Sequence, residues 1–176
     1  MATTHWALEP THSELTFKVR HMMITNVTGR FEKFDATAEM EEDDLSTAKI
    51  NFTADIDSIT THNEQRDGHL KSPDFFDAAS HPQMTFQSTG LEKVNEEEYR
   101  LLGNLTMRGV TKPVMLKVEY GGTIKDPYGM TRSGFSVEGK LNRKDYGLNW
   151  NAVTEAGGMV VADEVKIQAH VEFVKK

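Results

Sequence analysis

Apolar and polar residues alternate strictly along much of the chain. Between residues 13 and 21, Leu15, Phe17, Val19 and His21 fall on one face, and charged residues or threonine fall on the other. A period of two is typical of a β-strand that buries one face. The same period returns in six further segments, which are residues 50–56, 84–88, 101–107, 114–120, 135–141 and 165–173.

The apolar parity changes once, between Val27 and Met40. Val27, Gly29 and Phe31 follow one parity, whereas Phe34 and the alternate residues after it follow the other. One extra residue near Glu32-Lys33 would account for the change, and we interpret it as a β-bulge that bends a long strand. With this stretch, the chain contains about eight long strands, and residues 6–8 form a further short one.

The connections between these segments are mostly too short for a crossover helix, which favours an antiparallel meander. Alternation alone does not separate a β-sandwich from a closed barrel. Several segments run to about 10 residues, longer than the usual 5 to 6 residues of sandwich strands, and this length suits tilted strands in a barrel. We therefore predict an all-β, eight-stranded up-and-down barrel. Barrels of this size are either filled by side chains or hold one small ligand.

One segment departs from the β pattern. Thr61-His62-Asn63-Glu64 has the sequence of a capping box, which predicts a helix from about His62 to Lys71. Ser72-Pro73 offers a second N-cap with proline at the first helical position, so a further helical turn is expected there. We expect this piece to lie across one end of the barrel with Phe75 or Phe76 pointing inward.

Composition excludes several classes of protein. A length of 176 residues suits a single domain over residues 1–176. The net charge is −7 and no Lys/Arg cluster interrupts it along the sequence, so nucleic acid and an anionic membrane surface are poor candidates for the main partner. There is no Cys and no run of about 18 apolar residues, so thiol chemistry and stable membrane insertion are not expected. The start of the chain carries no export signal, which predicts a cytoplasmic protein, or a periplasmic one if the chain is a processed form.

Catalytic and metal-binding motifs are not evident. The seven His show no metal-ligand spacing, and we predict no metal and no cofactor other than a bound lipid. The strongest charge groupings are Arg66-Asp67 on the predicted helix and the Arg143 to Asp145 run after a strand. Such groups either tie a helix or loop to the rim of a barrel or, when buried in a common pocket, act as a catalytic acid with an electrophilic Arg.

The inward-facing positions are the remaining indication of function. The simplest interpretation is that these residues build the core of the barrel. An aromatic and methionine-rich wall also suits a ligand of indefinite shape. We predict that the ligand-binding residues are Phe17, Val19, His21, Phe31, Phe34, Phe52, Ile56, Phe75, Phe76, Phe86, Leu105, Met107, Leu116, Phe135, Val137 and Leu141. Candidates for contact with a ligand head group, or for the rim, are Arg66, Asp67, Arg143 and Asp145.

Longer motifs give the chain a resemblance. Residues 66–77 read RDxHLKSxDFFD, residues 105–114 read LTxRGVTKPV, and Arg143-x-Asp145-Tyr146-Gly147-Leu148 follows. Together with Trp6, Gly29-x-Phe31 and Gly134-Phe135, these resemble the YceI-like family of polyisoprenoid-binding, lipocalin-like proteins over essentially the whole chain. The resemblance implies an extended eight-stranded antiparallel barrel with one α-helix beside it and a long hydrophobic ligand inside, and it is compatible with a homodimer.

Three functions stay open at this point. The hypothesis we favour is a non-enzymatic protein that binds, stores or transports a polyisoprenoid, an isoprenoid quinone or a fatty-acid derivative. The alternative is an isomerase or hydrolase that acts on a hydrophobic substrate within the barrel through His21 or the Arg/Asp pairs. A barrel filled by its own side chains would act only as an interaction module.

Overall fold

Eleven β-strands and one α-helix form the described part of the chain in this computed structural model, which covers residues 2–42, 44–152 and 160–176. The strands are β1 (Thr3–Leu8), β2 (Glu14–His21), β3 (Thr25–Phe31), β4 (Phe34–Glu41), β5 (Lys49–Asp55), β6 (Ile59–Thr60), β7 (Gln83–Lys93), β8 (Glu98–Met107), β9 (Val110–Lys125), β10 (Thr131–Asn142) and β11 (Val161–Lys175). The helix is α1 (Glu64–Lys71), and short 3-10 turns occupy Pro10–His12, Leu45–Thr47, Ile56–Ser58 and Arg143–Tyr146.

The sheet closes on itself. Strands β1, β4, β5, β7, β8, β9, β10 and β11 pair in that order, and β1 returns to pair with β11, for example through Leu8 and Phe173. Beyond this ring, β2 pairs with the first part of β11, β3 with β2, and β6 with β3. Every pairing is antiparallel. The predicted eight-stranded antiparallel barrel with one helix is confirmed.

Three pairs of strands are single long strands with a break. β1 and β2 both run along β11, β3 and β4 follow the same path beside them, and β5 and β6 come next. The break between β3 and β4 falls at Glu32 and Lys33, where the parity of the sequence changes. The breaks lie side by side, since Glu32 N donates to Ser58 O and Asp55 N donates to Lys33 O. Counted this way, the barrel is an extended meander of eight long strands.

The helix begins later than the sequence predicts. Asn63, not Thr61, is the N-cap, and its side chain accepts from Arg66 N at 3.0 Å. His62 has a φ of 61°, so the chain turns before the helix starts and Thr61 cannot act as the cap. The second helical turn predicted after Ser72 is a series of turns, in which Phe75 N donates to Ser72 O and Phe76 N donates to Leu70 O.

Glycines make room for inward side chains at two places. A Cβ on Gly29 would overlap the Phe17 ring on the strand directly opposite, and a Cβ on Gly103 would overlap the Phe86 ring and the carbonyl of Gln87. An inward ring thus lies over a bare stretch of backbone in each case, which brings bulky side chains into a barrel of small diameter.

Candidate ligand-binding cavity

A cavity of about 450 Å³ lies inside the barrel. Side chains from the ring strands, from β2 and β3, from α1 and from residues 75–76 and 148–150 line it, and the lining is almost entirely apolar. The volume falls within the usual range of small-molecule sites, which is roughly 300–1,000 Å³. The barrel is therefore incompletely filled by its own side chains.

The two ends of the cavity differ in exposure. At one end, here named the closed end, the lining residues Trp6, Met40, Leu91 and Phe173 are all buried. At the other end, named the open end, the lining includes His21 and Trp150, which are half-buried, together with Arg66 and His69 of α1. A ligand would therefore enter at the open end.

The structure brings nearly all of the sequence-predicted residues to this cavity. The 15 that line it are Phe17, Val19, His21, Phe31, Phe34, Phe52, Phe75, Phe76, Phe86, Leu105, Met107, Leu116, Phe135, Val137 and Leu141. Ile56 does not line it. The alternation of β5 ends at Asp55 because Ile56 begins a 3-10 turn, and its side chain is buried in the core, 2% exposed, away from the cavity wall.

Arg66 and Asp67 act together on one residue, Thr61, which is buried. Asp67 Oδ1 accepts from Thr61 N at 2.8 Å and from Thr61 Oγ1 at 2.6 Å. Arg66 Nε donates to Thr61 Oγ1 at 2.8 Å, and Arg66 Nη2 donates to Thr61 O at 2.7 Å. Asp67 does not line the cavity, since its carboxylate is turned to Thr61. These bonds attach α1 to the strand end that precedes it.

Arg143 has a similar role at the start of β11. Its guanidinium donates to four backbone carbonyls, namely those of Leu148, Trp150, Val161 and Ala162, at 2.6 to 3.2 Å. The residue is 4% exposed, and burial lowers the pKa of its guanidinium, an effect that Asp163 opposes. Although Arg143 touches the cavity, its donors are committed to the backbone, so they are poorly placed to bind a ligand head group.

The predicted grouping of Arg143 with Asp145 is wrong, because the carboxylate that Arg143 approaches is that of Asp163. Arg143 and Lys144 both approach Asp163, at 3.9 and 3.4 Å, while Asp145 is exposed and lies off the cavity. In the 3-10 turn Arg143–Tyr146, the Arg143 side chain turns to the backbone and Asp145 faces solvent. The adjacent Tyr146 is buried. Burial, and to a lesser degree Asp145, raises the pKa of the Tyr146 hydroxyl to about 12.

Further residues at the open end escape sequence reasoning. His69 Nε2 lies 2.9 Å from Asp74 Oδ2, and the His69 ring meets the edges of Phe75 and Trp150 at centroid distances of 5.1 and 4.7 Å. Arg108 Nη1 donates to Phe75 O at 2.7 Å and to Gly147 O at 3.2 Å. Trp150 lies in a loop without any period, so no pattern could have indicated it. Other residues of the cavity wall follow the strand parity, although the predicted set omits them. They are Leu15, Ala36, Met84, Val114 and Ile167.

Few titratable side chains line the cavity. Two imidazoles, those of His21 and His69, reach the open end. Asp67 and Asp145 lie off the cavity, and the carboxylate beside an imidazole there is that of Asp74, 2.9 Å from His69 Nε2. Among the described residues, no group of three His, Asp or Glu side chains is arranged to hold a metal ion. No helix in the described ranges is both long and apolar enough to cross a membrane.

Comparison with known proteins agrees with the motifs. The family model of the YceI-like domain matches residues 6–173. A UPF0312 protein of Staphylococcus aureus is 37% identical over 171 residues, which is 97% of each chain. The crystal structure of a Campylobacter jejuni YCEI protein matches with a TM-score of 0.70 and 32% identity, over 86% of this chain and 88% of that one.

More distant structures share the fold. Burkholderia cenocepacia BcnA matches with a TM-score of 0.81 at 21% identity, over 94% of this chain and 98% of that one. A polyisoprenoid binding domain from Saccharophagus degradans, implicated in plant cell wall breakdown, matches with a TM-score of 0.68 at 17% identity, over 96% and 97%. The resemblance drawn from the sequence motifs is confirmed, whereas the homodimer and the compartment stay predictions.

Proposed function

The chain belongs to the YceI-like family, and on that premise we propose that its barrel is a non-enzymatic carrier or store for a long hydrophobic ligand. The observation that carries the proposal is the apolar cavity of about 450 Å³, which runs from the buried side chains of the closed end to the half-buried ones of the open end. Each CH₂ group that leaves water for such a cavity contributes about 0.8 kcal/mol, so a dozen of them contribute about 10 kcal/mol before ordering costs.

The arrangement of polar groups favours a ligand with an apolar tail and a polar head. The tail would lie among the aromatic side chains of the ring, where shape is the main selector. At the open end, His21 and Arg66 Nη1, the guanidinium nitrogen that Thr61 does not engage, offer hydrogen-bond donors, and no carboxylate of a described residue lines the cavity. A head group rich in acceptors, such as a phosphate, a carboxylate or a quinone carbonyl, suits these donors.

Similarity to a polyisoprenoid binding domain supports an isoprenoid tail for the ligand. A polyisoprenoid and a fatty-acid derivative present nearly the same apolar surface to a cavity wall, so the chemical class is a matter for direct measurement. Methionines at the wall, among them Met40, Met84 and Met107, can adapt their rotamers to either tail.

Extraction tests the proposal directly. The purified protein is extracted with organic solvent and the extract is analysed by mass spectrometry. In parallel, a hydrophobic fluorophore is titrated into delipidated protein and displaced with polyprenol, polyprenyl phosphate or fatty acid. We expect a co-purified lipid and competitive displacement.

A pair of variants localises the binding. Ala169 lines the cavity between Val137 and Leu15 on the neighbouring strands, so Ala169→Phe should fill the middle of the cavity and reduce fluorophore binding at least tenfold. Thr85→Phe adds a ring on the exposed face of β7 and should leave binding unchanged. Absence of lipid in the extract together with absence of fluorophore binding would contradict the proposal.

A further inference from the structure

The hairpin between β2 and β3 displays three large apolar side chains to solvent. Met22, Met23 and Ile24, here named the apolar tip, are 45%, 55% and 76% exposed. Met22 and Met23 have φ values of 53° and 62°, in the left-handed region that favours glycine or asparagine. A hairpin needs only a polar Asn-Gly pair there, so neither the exposure nor the conformation of these methionines is explained by the fold.

The turn that carries the apolar tip is firmly built. Arg20 Nη2 donates to Met23 O at 2.7 Å, and Met22 N donates to Val160 O at 2.8 Å. The residue before the tip, His21, lines the open end of the cavity. The apolar tip is therefore a fixed projection beside the place where a ligand would enter.

Basic side chains assemble on the outer wall behind the tip. Lys140 of β10 lies directly opposite Lys166 of β11, and Lys166 lies directly opposite Lys18 of β2. All three, here named the lysine row, are exposed, and none forms an ion pair with a described residue. Like charges directly opposite one another destabilise a sheet, and here they occur in a chain of net charge −7.

The same wall continues toward the hairpin with little acidic compensation. Arg20 stands two residues beyond Lys18 on the outward face of β2. Glu164 is the acidic neighbour of Lys166 on β11, and Glu138 is that of Lys140 on β10, where Glu138 lies 3.7 Å from Lys117 Nζ. Asp163 is engaged by Arg143 and Lys144. Met22 is four positions after Lys18, which is about 13 Å at the rise of a strand. Sequence order conceals this cluster, because Lys18 lies more than a hundred residues before Lys140 and Lys166 and only the register of the sheet brings the three together.

We propose that the apolar tip and the lysine row dock the open end of the barrel onto an anionic lipid bilayer. This inference rests on the proposed function, since a bilayer is where a long hydrophobic ligand is taken up or released. Large apolar side chains enter the boundary between head groups and acyl chains, and lysines behind them meet the lipid phosphates. We favour a bilayer over an acidic or uncharged protein surface because an anionic bilayer offers phosphates to the lysine row and acyl chains to the apolar tip at once.

Vesicle flotation tests this docking. The full chain is mixed with phosphatidylcholine vesicles that either contain or lack phosphatidylglycerol, at low and at high salt. We expect binding to the anionic vesicles that falls at least tenfold when the salt is raised or phosphatidylglycerol is left out.

Three variants separate the contributions. Met22→Asn, Met23→Gly and Ile24→Thr together keep a turn suited to its positive φ values and should lower vesicle binding at least tenfold. Replacing Lys18, Lys140 and Lys166 with Gln should do the same and remove the salt dependence. The control is Ile124→Ser with Tyr128→Ser at the β9–β10 hairpin, where both side chains are also exposed but the closed end lies nearby; it should bind as the unchanged chain does.

Several results would overturn the inference. They are absence of binding to anionic vesicles, full binding by the apolar-tip variant, or a dimer in solution that only this variant dissociates, which would assign the tip to a second copy of the chain. Fluorophore binding to the cavity is measured separately on the same variants and should not change. Vesicle docking without any cavity ligand would sustain the docking and contradict the proposed function instead.

Discussion

The ring of eight strands and the open end are closed by different means. Around the ring, every strand is hydrogen-bonded to two neighbours through its backbone, so the closure of the ring does not depend on which apolar side chains face inward. At the open end, β3 pairs with β2 on one side but only with the two-residue strand β6 on the other, and α1 and the loops complete the wall. There the closure depends on a few side chains, among them Thr61, Arg108 and Arg143, which hydrogen-bond to other segments of the chain.

This difference explains where the recognisable motifs lie. Arg108 belongs to the LTxRGVTKPV run, and it binds the carbonyl of Phe75 in the RDxHLKSxDFFD run and that of Gly147 in the run after β10. Arg66, Asp67 and Arg143 bind local backbone in the same region. The motifs therefore meet at one end of the barrel, where a specific sequence is needed to close a gap that backbone pairing leaves.

Removing Arg143 should produce the largest loss of stability. Arg143→Leu leaves four carbonyls without their charged donor, and we expect the free energy of unfolding to fall by about 3–5 kcal/mol. Arg143→Lys retains the charge but cannot reach all four oxygens, so its effect should be smaller. Urea denaturation followed by circular dichroism gives the values.

Hydrogen exchange on the same Arg143 variants shows where the loss falls. Amides at the start of β11 should exchange faster in Arg143→Leu, while those of β4 and β5 in the ring should change only through global unfolding. A loss below about 1 kcal/mol, or equal acceleration throughout, would mean that the open end does not depend on this side chain.

Alkaline pH should weaken the open end through Tyr146. Its pKa is raised to about 12 in the folded chain, so the native state holds its proton longer than the unfolded state does. Stability is fully retained below pH of about 10, the pKa of an unfolded tyrosine, and falls as the pH rises toward 12, by up to roughly 3 kcal/mol.

Substitution by phenylalanine isolates this effect. Tyr146 Oη has no hydrogen-bond partner among the described residues, so Tyr146→Phe should be nearly neutral at pH 7 and should remove most of the alkaline loss. Tyr128→Phe, at a residue 89% exposed, is the matched control and should keep the loss. The same alkaline loss in Tyr146→Phe would assign it to other groups.

Two glycine substitutions compare the rigidity of the regions. Gly103→Ala in the ring would press its Cβ against the Gln87 carbonyl, which the β7–β8 ladder holds, and should cost about 2–3 kcal/mol. Gly29→Ala at the open end meets side chains only, those of Phe17 and Thr61, and Phe17 can move toward the cavity. We expect about 1 kcal/mol there. Thermal unfolding of both variants checks the ranking. A larger loss of stability in Gly29→Ala than in Gly103→Ala would mean that the open end is the more rigid region.

The smallest effect is expected at the anchor of α1. Asp67→Asn keeps an acceptor for Thr61 N but loses the charge that strengthens both bonds, so we expect a loss of about 1 kcal/mol. Asp57→Asn, at an exposed position in the neighbouring 3-10 turn, is a charge-matched control and should have little effect. Equal denaturation midpoints for Asp67→Asn and the unchanged chain would show that the helix is held by its other contacts.

Sequence reasoning served the ring better than the open end. Period-two alternation reports one buried face, and it located the ring strands and most of the cavity wall because strands keep their parity. The parity change at Glu32-Lys33 falls where β3 ends and β4 begins, so the predicted β-bulge is instead a break between two strands. Ile56 was misplaced because a 3-10 turn ends the alternation at Asp55.

Contacts between distant segments could not be predicted. The partners of Arg143 are backbone carbonyls, which leave no pattern in the side chains, and His69 and Trp150 meet only through tertiary packing. The lysine row depends on strand register, and a shift of one residue would turn each lysine inward. These contacts are therefore evident only in the folded structure.

The pairing of β1 with β11 has a consequence for how the molecule is made. Trp6 lies opposite Lys175, so β1 pairs with β11, the last strand of the barrel, and all the other strands are synthesised between the two. Every other ring strand pairs with at least one neighbour that is close in sequence, whereas both ring partners of β1, which are β4 and β11, lie farther along the chain. Until translation reaches β11, the nascent sheet carries an unpaired edge, and a chain shortened by one strand would keep that edge permanently and be prone to association.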